Sequence, residues 1–274
     1  MINPRLVVSV VLATLFTSSL HASPISDLFN ERSNREIETR LVYEEKGLLW
    51  SSTLKLETII YPAANPNGKI VLWQHGSVVN RNQLAATHRL LRIAEEFNSK
   101  GYTFVIWMRK GRGQSEGTAD EFSGNDCNVG YIEQTLKGTE SQTQQVIQQL
   151  RSRFNFNKVI LAGHSRGGMV SAYYASQNPN DVEAVVNLAG GYALPCDARN
   201  NYNSRSIYER SAKFKKQKWI YFDSDTFFNP DSMNYIKNLA EKNNIAFSEL
   251  RGNHVTPLLD ASWVAPTIKW IEEK

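Results

Sequence analysis

Ser165 stands in Gly163-His164-Ser165-Arg166-Gly167, a G-x-S-x-G run that follows the apolar stretch Val159 to Ala162 and precedes the helical stretch opening at Met169. A serine at a tight strand-to-helix turn carries its hydroxyl exposed, and glycines on either side leave room for that turn. The helix that follows aims its first N–H groups at the same place, which favours developing negative charge. A serine hydroxyl is a weak nucleophile alone and needs a base held by an acid. Beyond the first 22 residues the histidines are His75, His88, His164 and His254. His164 adjoins the serine in the turn and points the wrong way for a base. His88 falls in a helical pattern beside Arg89 and reads as a surface or packing residue. His254 lies in Gly252-Asn253-His254-Val255, just after the last strand pattern, and is the expected base. The acid is expected after the preceding strand, where Asp223 and Asp225 are both available. Asp225, in the turn, is the better aimed, and Asp223 is left as a helper or a structural turn residue. Trp73-Gln74-His75-Gly76-Ser77 ends an earlier buried strand, so the backbone N–H groups of Ser77 and Arg166 are the expected oxyanion hole. There His75 fixes the loop and is not a base.

These groups require a scaffold that brings four chain segments to one edge. The sequence supplies strands at Arg40 to Tyr43, Leu54 to Tyr61, Ile70 to Trp73, Tyr102 to Met108, Val159 to Ala162, Val182 to Leu188, Trp219 to Phe222 and Ala246 to Leu250. Several are continuous apolar runs, the mark of strands buried on both faces. Between them lie helical stripes: Leu90, Ile93, Ala94 and Phe97; Val146, Leu150 and Phe154; Met169 to Ala175; Met233, Ile236 and Ala240; and Trp263 to Ile271. Alternating strands and helices predict an α/β fold, a mostly parallel central sheet with helices on both faces. Reactive groups in such sheets gather at the carboxyl ends of the strands.

Together the segments resemble the α/β-hydrolase superfamily, over most of the chain. Ser165, Asp225 and His254 follow its Ser–acid–His order, and His75-Gly76 resembles its oxyanion motif. Arg109-Lys110-Gly111-Arg112-Gly113-Gln114-Ser115 is similar to the R-x-G-x-G-x-S loop that often follows its fourth strand. The stretch Asp223 to Pro230 resembles the acid loop of dienelactone hydrolase-like and esterase-like members, although dienelactone hydrolases proper use cysteine as nucleophile. The resemblance implies a serine hydrolase of the carboxylesterase class, which cleaves an ester or related acyl bond through an acyl-enzyme. A serine peptidase acting on short peptides is the alternative, since the same triad serves amides. A non-catalytic binding protein on the same scaffold would have lost a triad member, and none is lost. The interval from Gly190 to Lys218 is too short for a large cap domain.

Composition narrows the setting. The chain has 274 residues, 41% of them apolar and 21% charged, which excludes disordered, collagen-like and disulfide-knotted classes. A net charge of +4, from 31 basic and 27 acidic residues, gives nucleic-acid binding little support. Residues 1–22 read as a secretory signal, with Arg5, the mostly apolar run Leu6 to Phe16, and the small residues Ser18, Ser19 and Ala22. That run is too short to span a bilayer. The expectation is an exported chain, periplasmic or extracellular, with a single domain over 23–274 and no integral membrane segment after cleavage. In that oxidising setting Cys127 and Cys196, the two cysteines of the chain, are expected to form a disulfide. Lys213, Lys215, Lys216 and Lys218 read as a solvated helix face. No cluster has metal-ligand spacing and no phosphate loop is present, so no cofactor is expected and the partner is a small-molecule ester or acyl substrate.

Overall fold

The computed structural model describes residues 32–78, 81–120, 129–191 and 205–273. The expected signal segment, Cys127 and Cys196 lie outside the described residues. Eight strands are present among them: β1 (Ile37–Lys46), β2 (Ser51–Tyr61), β3 (Ile70–Gln74), β4 (Thr103–Trp107), β5 (Val159–His164), β6 (Val182–Leu188), β7 (Gln217–Phe222) and β8 (Ala246–Leu250). The helices are α1 (Leu91–Ser99), α2 (Val129–Phe154), α3 (Arg166–Gln177), α4 (Arg205–Ser211), α5 (Pro230–Lys242), α6 (Thr256–Leu259) and α7 (Val264–Glu272).

The strands form one sheet in the order β1-β2-β4-β3-β5-β6-β7-β8. β1 and β2 pair antiparallel, and β2 lies antiparallel to β4. From β4 to β8 every pairing is parallel. All five residues of β3 and of β4 are buried, as the apolar runs Ile70 to Trp73 and Phe104 to Trp107 predict, and the polar Gln74 and Thr103 at their ends are buried with them. Alternate side chains feed two cores. Val71, Trp73, Phe104 and Ile106 pack on the face covered by Ile93 and Phe97 of α1 and Val264 and Ile268 of α7. Ile70, Leu72, Val105 and Trp107 pack on the face covered by Val146, Ile147 and Leu150 of α2 and by Ala172 and Ala175 of α3. This is a mostly parallel sheet with helices on both faces, and no large cap is present among the described residues.

β1 is an edge strand, and α2 closes it in an unusual way. The Gln149 side chain accepts from Val42 N–H at 2.9 Å and donates to Val42 C=O at 2.6 Å. One turn earlier Gln145 does the same to Glu44, at 2.8 and 3.1 Å. Two side-chain amides thus occupy backbone groups that would otherwise be open to another strand.

Two local readings need correction. Lys213, Lys215 and Lys216 lie on a turn after α4 and Lys218 lies within β7, so the run is not a helix face. His88 lies in irregular chain ahead of α1, buried, with its ring 5.2 Å from that of His75. It is a packing residue and not a helical or surface one.

Candidate active site

Ser165 links β5 to α3 with φ 55° and ψ −127°, a backbone conformation that non-glycine residues seldom adopt. Close packing enforces it. A Cβ at Gly163 would meet the Gly167 carbonyl oxygen at 2.4 Å, and one at Gly167 would meet the Gln74 carbonyl oxygen at 2.0 Å. Side chains at either place would push β5, α3 and the end of β3 apart. The Ser165 N–H donates to Leu188 C=O at 2.9 Å, which ties the turn to β6.

Two loops beyond the strand ends meet beside it. Asp223 N–H donates to Leu250 C=O and Ser224 N–H to Gly252 C=O, at 3.0 and 2.9 Å, so the loop after β7 is zipped to the loop after β8. Asp223 completes the zipper by accepting from Gly252 N–H at 3.1 Å and from the Ser224 hydroxyl at 3.0 Å. Those bonds hold its exposed carboxyl below the usual carboxylate range. Asp225 is turned inward instead. Its side chain is fully buried, with Oδ2 2.7 Å from His254 Nδ1. Its Oδ1 accepts from Phe227 N–H at 2.9 Å. Of the two candidate carboxylates, then, Asp225 is joined to the histidine and Asp223 to the backbone.

His254 keeps 12% of its side chain exposed, enough for one face to be reached. Phe227 stacks on the ring at 4.1 Å between centroids, and Phe228 stands at 6.2 Å. Because Nδ1 faces a carboxylate, it carries the proton and Nε2 is left as the basic nitrogen. His164 contributes in a way the sequence did not reveal. Its Nε2 lies 2.6 Å from the His254 carbonyl oxygen, and a carbonyl can only accept, so His164 is the Nε2–H tautomer. Burial first, and the neighbouring His254 second, push its pKa down to about 3, so it stays a neutral donor.

At the end of β3, His75 is buried and fixes its loop as expected. Its Nε2 accepts the Arg109 backbone N–H at 3.1 Å, which leaves Nδ1–H to donate to Gly76 C=O at 2.8 Å. Burial, reinforced by Arg109 and Arg112, holds its pKa well below the ordinary histidine value. A Cβ on Gly76 would lie 3.2 Å from Ser165 Cβ, so this loop runs directly against the nucleophile candidate. Ser77 follows, exposed. Across the turn, Arg166 opens α3, and its N–H is among those the helix itself cannot use. Its side chain is buried and paired with Asp120 at 3.0 Å. The fold therefore brings Ser165, Asp225, His254, Ser77 and Arg166 to one edge. The contributions of His164, the Arg109 and Arg112 side chains and Phe227 become visible only in three dimensions.

No group of metal-ligating residues exists among the described residues. None of the described helices is long and apolar enough to cross a membrane.

A strained serine between a parallel strand and a helix, beside a buried Asp–His pair, defines the chain as a serine hydrolase of the α/β type. Residues 79–228 match the model of the family described as serine aminopeptidase, S33, and the chain belongs to that family. Solved structures agree on the fold. An esterase of Pyrococcus furiosus is 13% identical with a TM-score of 0.59, covering 99% of this chain and 97% of its own. Est1E of Butyrivibrio proteoclasticus, solved with ferulic acid bound, is 14% identical with a TM-score of 0.55, covering 80% of this chain and 93% of its own. A serine hydrolase of Xanthomonas campestris, described as lacking a lid, is 14% identical with a TM-score of 0.56, covering 89% and 98%. Among curated proteins no sequence matches.

Proposed function

We propose that the protein hydrolyses a carboxylic ester through an acyl-enzyme on Ser165. His254 Nε2 takes the Ser165 proton as Oγ attacks the substrate carbonyl, and the C=O π pair moves onto oxygen. The Ser77 and Arg166 N–H groups receive that oxyanion. Collapse expels the alcohol, which leaves with the proton from His254. Water then repeats the sequence against the acyl-serine, with His254 again the base. Asp225 keeps the imidazole in the working tautomer and stabilises its charged form. The observation that carries this reading is the 2.7 Å Asp225–His254 contact, formed by a buried carboxylate beside the Ser165 turn.

A peptidase acting on short peptides is the second reading, supported by the description of the family model. An aminopeptidase needs an acceptor, such as a carboxylate, for the substrate ammonium. Asp120, the acid joined to the residue after the nucleophile, already pairs with Arg166. A fluorophosphonate probe should label the protein, and Ser165→Ala should abolish labelling. Turnover of a p-nitrophenyl ester series against aminoacyl amides then decides the substrate class. Labelling that survives Ser165→Ala would remove Ser165 from the mechanism, and faster amide turnover would make the protein a peptidase.

The same reading includes export, supported by the N-terminal sequence, and a Cys127–Cys196 bridge closing a rim loop, supported by that compartment. Intact mass of the secreted chain, alkylated with and without reductant, reports both. An N-terminus still at Met1 would refute export, and two alkylated thiols without reductant would refute the bridge.

A further inference from the structure

The Gly76 carbonyl is held by three donors. His75 Nδ1–H reaches it at 2.8 Å, Arg109 Nη2 at 3.2 Å and Arg112 Nη1 at 3.3 Å. Arg109 Nη1 also donates to the His75 carbonyl at 2.6 Å. Both guanidinium-bearing residues are buried, Arg109 at 2% and Arg112 at 0% exposure. Two charged side chains thus donate to adjacent backbone carbonyls, and charge-assisted bonds are the stronger kind.

The Gly76 C=O and the Ser77 N–H belong to one peptide group. Such a group is planar, and no cis peptide is present among the described residues, so the two bonds point in opposite directions. Fixing the carbonyl among the guanidinium groups therefore fixes the direction of the N–H on the far side. Cationic donors on the oxygen also draw electron density from the peptide, which makes its N–H a stronger donor. Gly76 is the residue whose Cβ would crowd Ser165, so this peptide is the one that approaches the nucleophile.

We infer that Arg109 and Arg112 are positioning residues for the oxyanion hole, which aim and polarise the Ser77 N–H by gripping the carbonyl of the same peptide. The inference rests on the ester-hydrolase reading above. It assigns a task to the R-x-G-x-G-x-S loop, which brings both arginines from the end of β4 to the end of β3. An oxyanion donor acts on the tetrahedral species and hardly on the ground state, so its misalignment should lower kcat and leave KM in place.

The test uses Arg109→Met, Arg112→Met and the matching Lys variants in the full chain. Rates are normalised to the fraction of protein that a fluorophosphonate labels, so misfolded molecules do not count. Two inhibitors of one shape are compared: a trifluoromethyl ketone, which adds Ser165 to form an oxyanion, and the methyl ketone, which binds unreacted. Deleting an oxyanion donor outright costs about 10²- to 10³-fold, so misaligning one is expected to cost about 10- to 100-fold in kcat. Trifluoromethyl ketone affinity should fall by the same factor, with KM and methyl ketone affinity unchanged and partial recovery in the Lys variants. Unchanged kcat per labelled site in all four variants would overturn the inference, as would parallel losses of methyl ketone and trifluoromethyl ketone affinity. If Arg109→Met leaves no labelled protein, Arg112→Met and the Lys variants decide by the same criteria. Failure of the ester-hydrolase reading is distinct, because the unmodified protein would then not label at Ser165 or turn over esters.

Discussion

Asp225→Asn should disable the protein while Asp223→Asn should barely affect it. The Asp225 carboxylate is fully buried and 2.7 Å from His254 Nδ1. When the imidazole is charged in the transition state, the two charges lie roughly 4 Å apart, worth about 4 kcal/mol at an effective dielectric near 20. Losing that interaction lowers the rate by about 10³. Asparagine also presents an N–H group to Nδ1 and favours the wrong tautomer, which takes the loss toward the ~10⁴ measured for the equivalent change in a known triad. The fold should survive, because the amide oxygen of the substituted side chain can take the place of the Asp225 Oδ1 that accepts from Phe227 N–H at 2.9 Å. Asp223 is exposed, and its partners are the Gly252 N–H and the Ser224 hydroxyl. Asparagine there keeps an acceptor for both, so the expected loss is less than about tenfold. The assay is kcat/KM on a p-nitrophenyl ester at neutral pH, with thermal melts of each variant as the folding control. A larger loss from Asp223→Asn would refute the reasoning, and so would losses equal within tenfold.

Replacing Gln145 and Gln149 together by alanine should cost little stability, since water can serve the freed Val42 and Glu44 backbone groups, but it should open the β1 edge. Concentration-dependent association by light scattering is the expected result, and an unchanged monodisperse profile would show that the glutamines do not guard the edge. His164 predicts a pH dependence of stability. The unfolded histidine takes a proton near 6.5 and the folded one only near 3, so stability is present above 6.5 and is lost as pH falls through that window. The slope is up to about 1.4 kcal/mol per pH unit. His164→Gln should flatten the decline in urea melts between about pH 7 and 5, and equal slopes in both proteins would refute this assignment.

What could be read ahead of the structure followed from how local each signal is. β3, β4, β5 and β6 were legible because strands covered on both faces are mostly apolar, so their apolar runs give their spans to within a residue or two. The Ser165 turn was legible because its G-x-S-x-G spacing sits between an apolar strand run and a helical stretch, although the contact that demands Gly167 comes from Gln74, far away in the chain. Helix α2 was half hidden. The stripe from Val146 to Phe154 marks only its last turns, because the earlier part buries Thr139, Gln142 and Thr143 beside Ile132 and Leu136 and so breaks the apolar period. Helices α4 and α6 have 7 and 4 residues, too short for any period to register. At the site, the choice between Asp223 and Asp225 could be argued from strand-end geometry, but the partners of each depended on the zipper between two loops. The duties of His164 and of Arg109 were out of reach for the same reason. His164 meets a carbonyl 90 residues away and Arg109 one 34 residues away. Nothing near either residue in the chain reports that. A buried polar side chain is costly unless it is hydrogen-bonded, and backbone carbonyls are among the partners that receive His164, Arg109 and Arg112. Each of those carbonyls belongs to a residue bearing on the proposed chemistry, His254 in one case and Gly76 before Ser77 in the other. These long-range contacts of His164, Arg109 and Arg112 therefore meet the backbone of the site, and through that backbone they bear on where its proposed reacting groups stand.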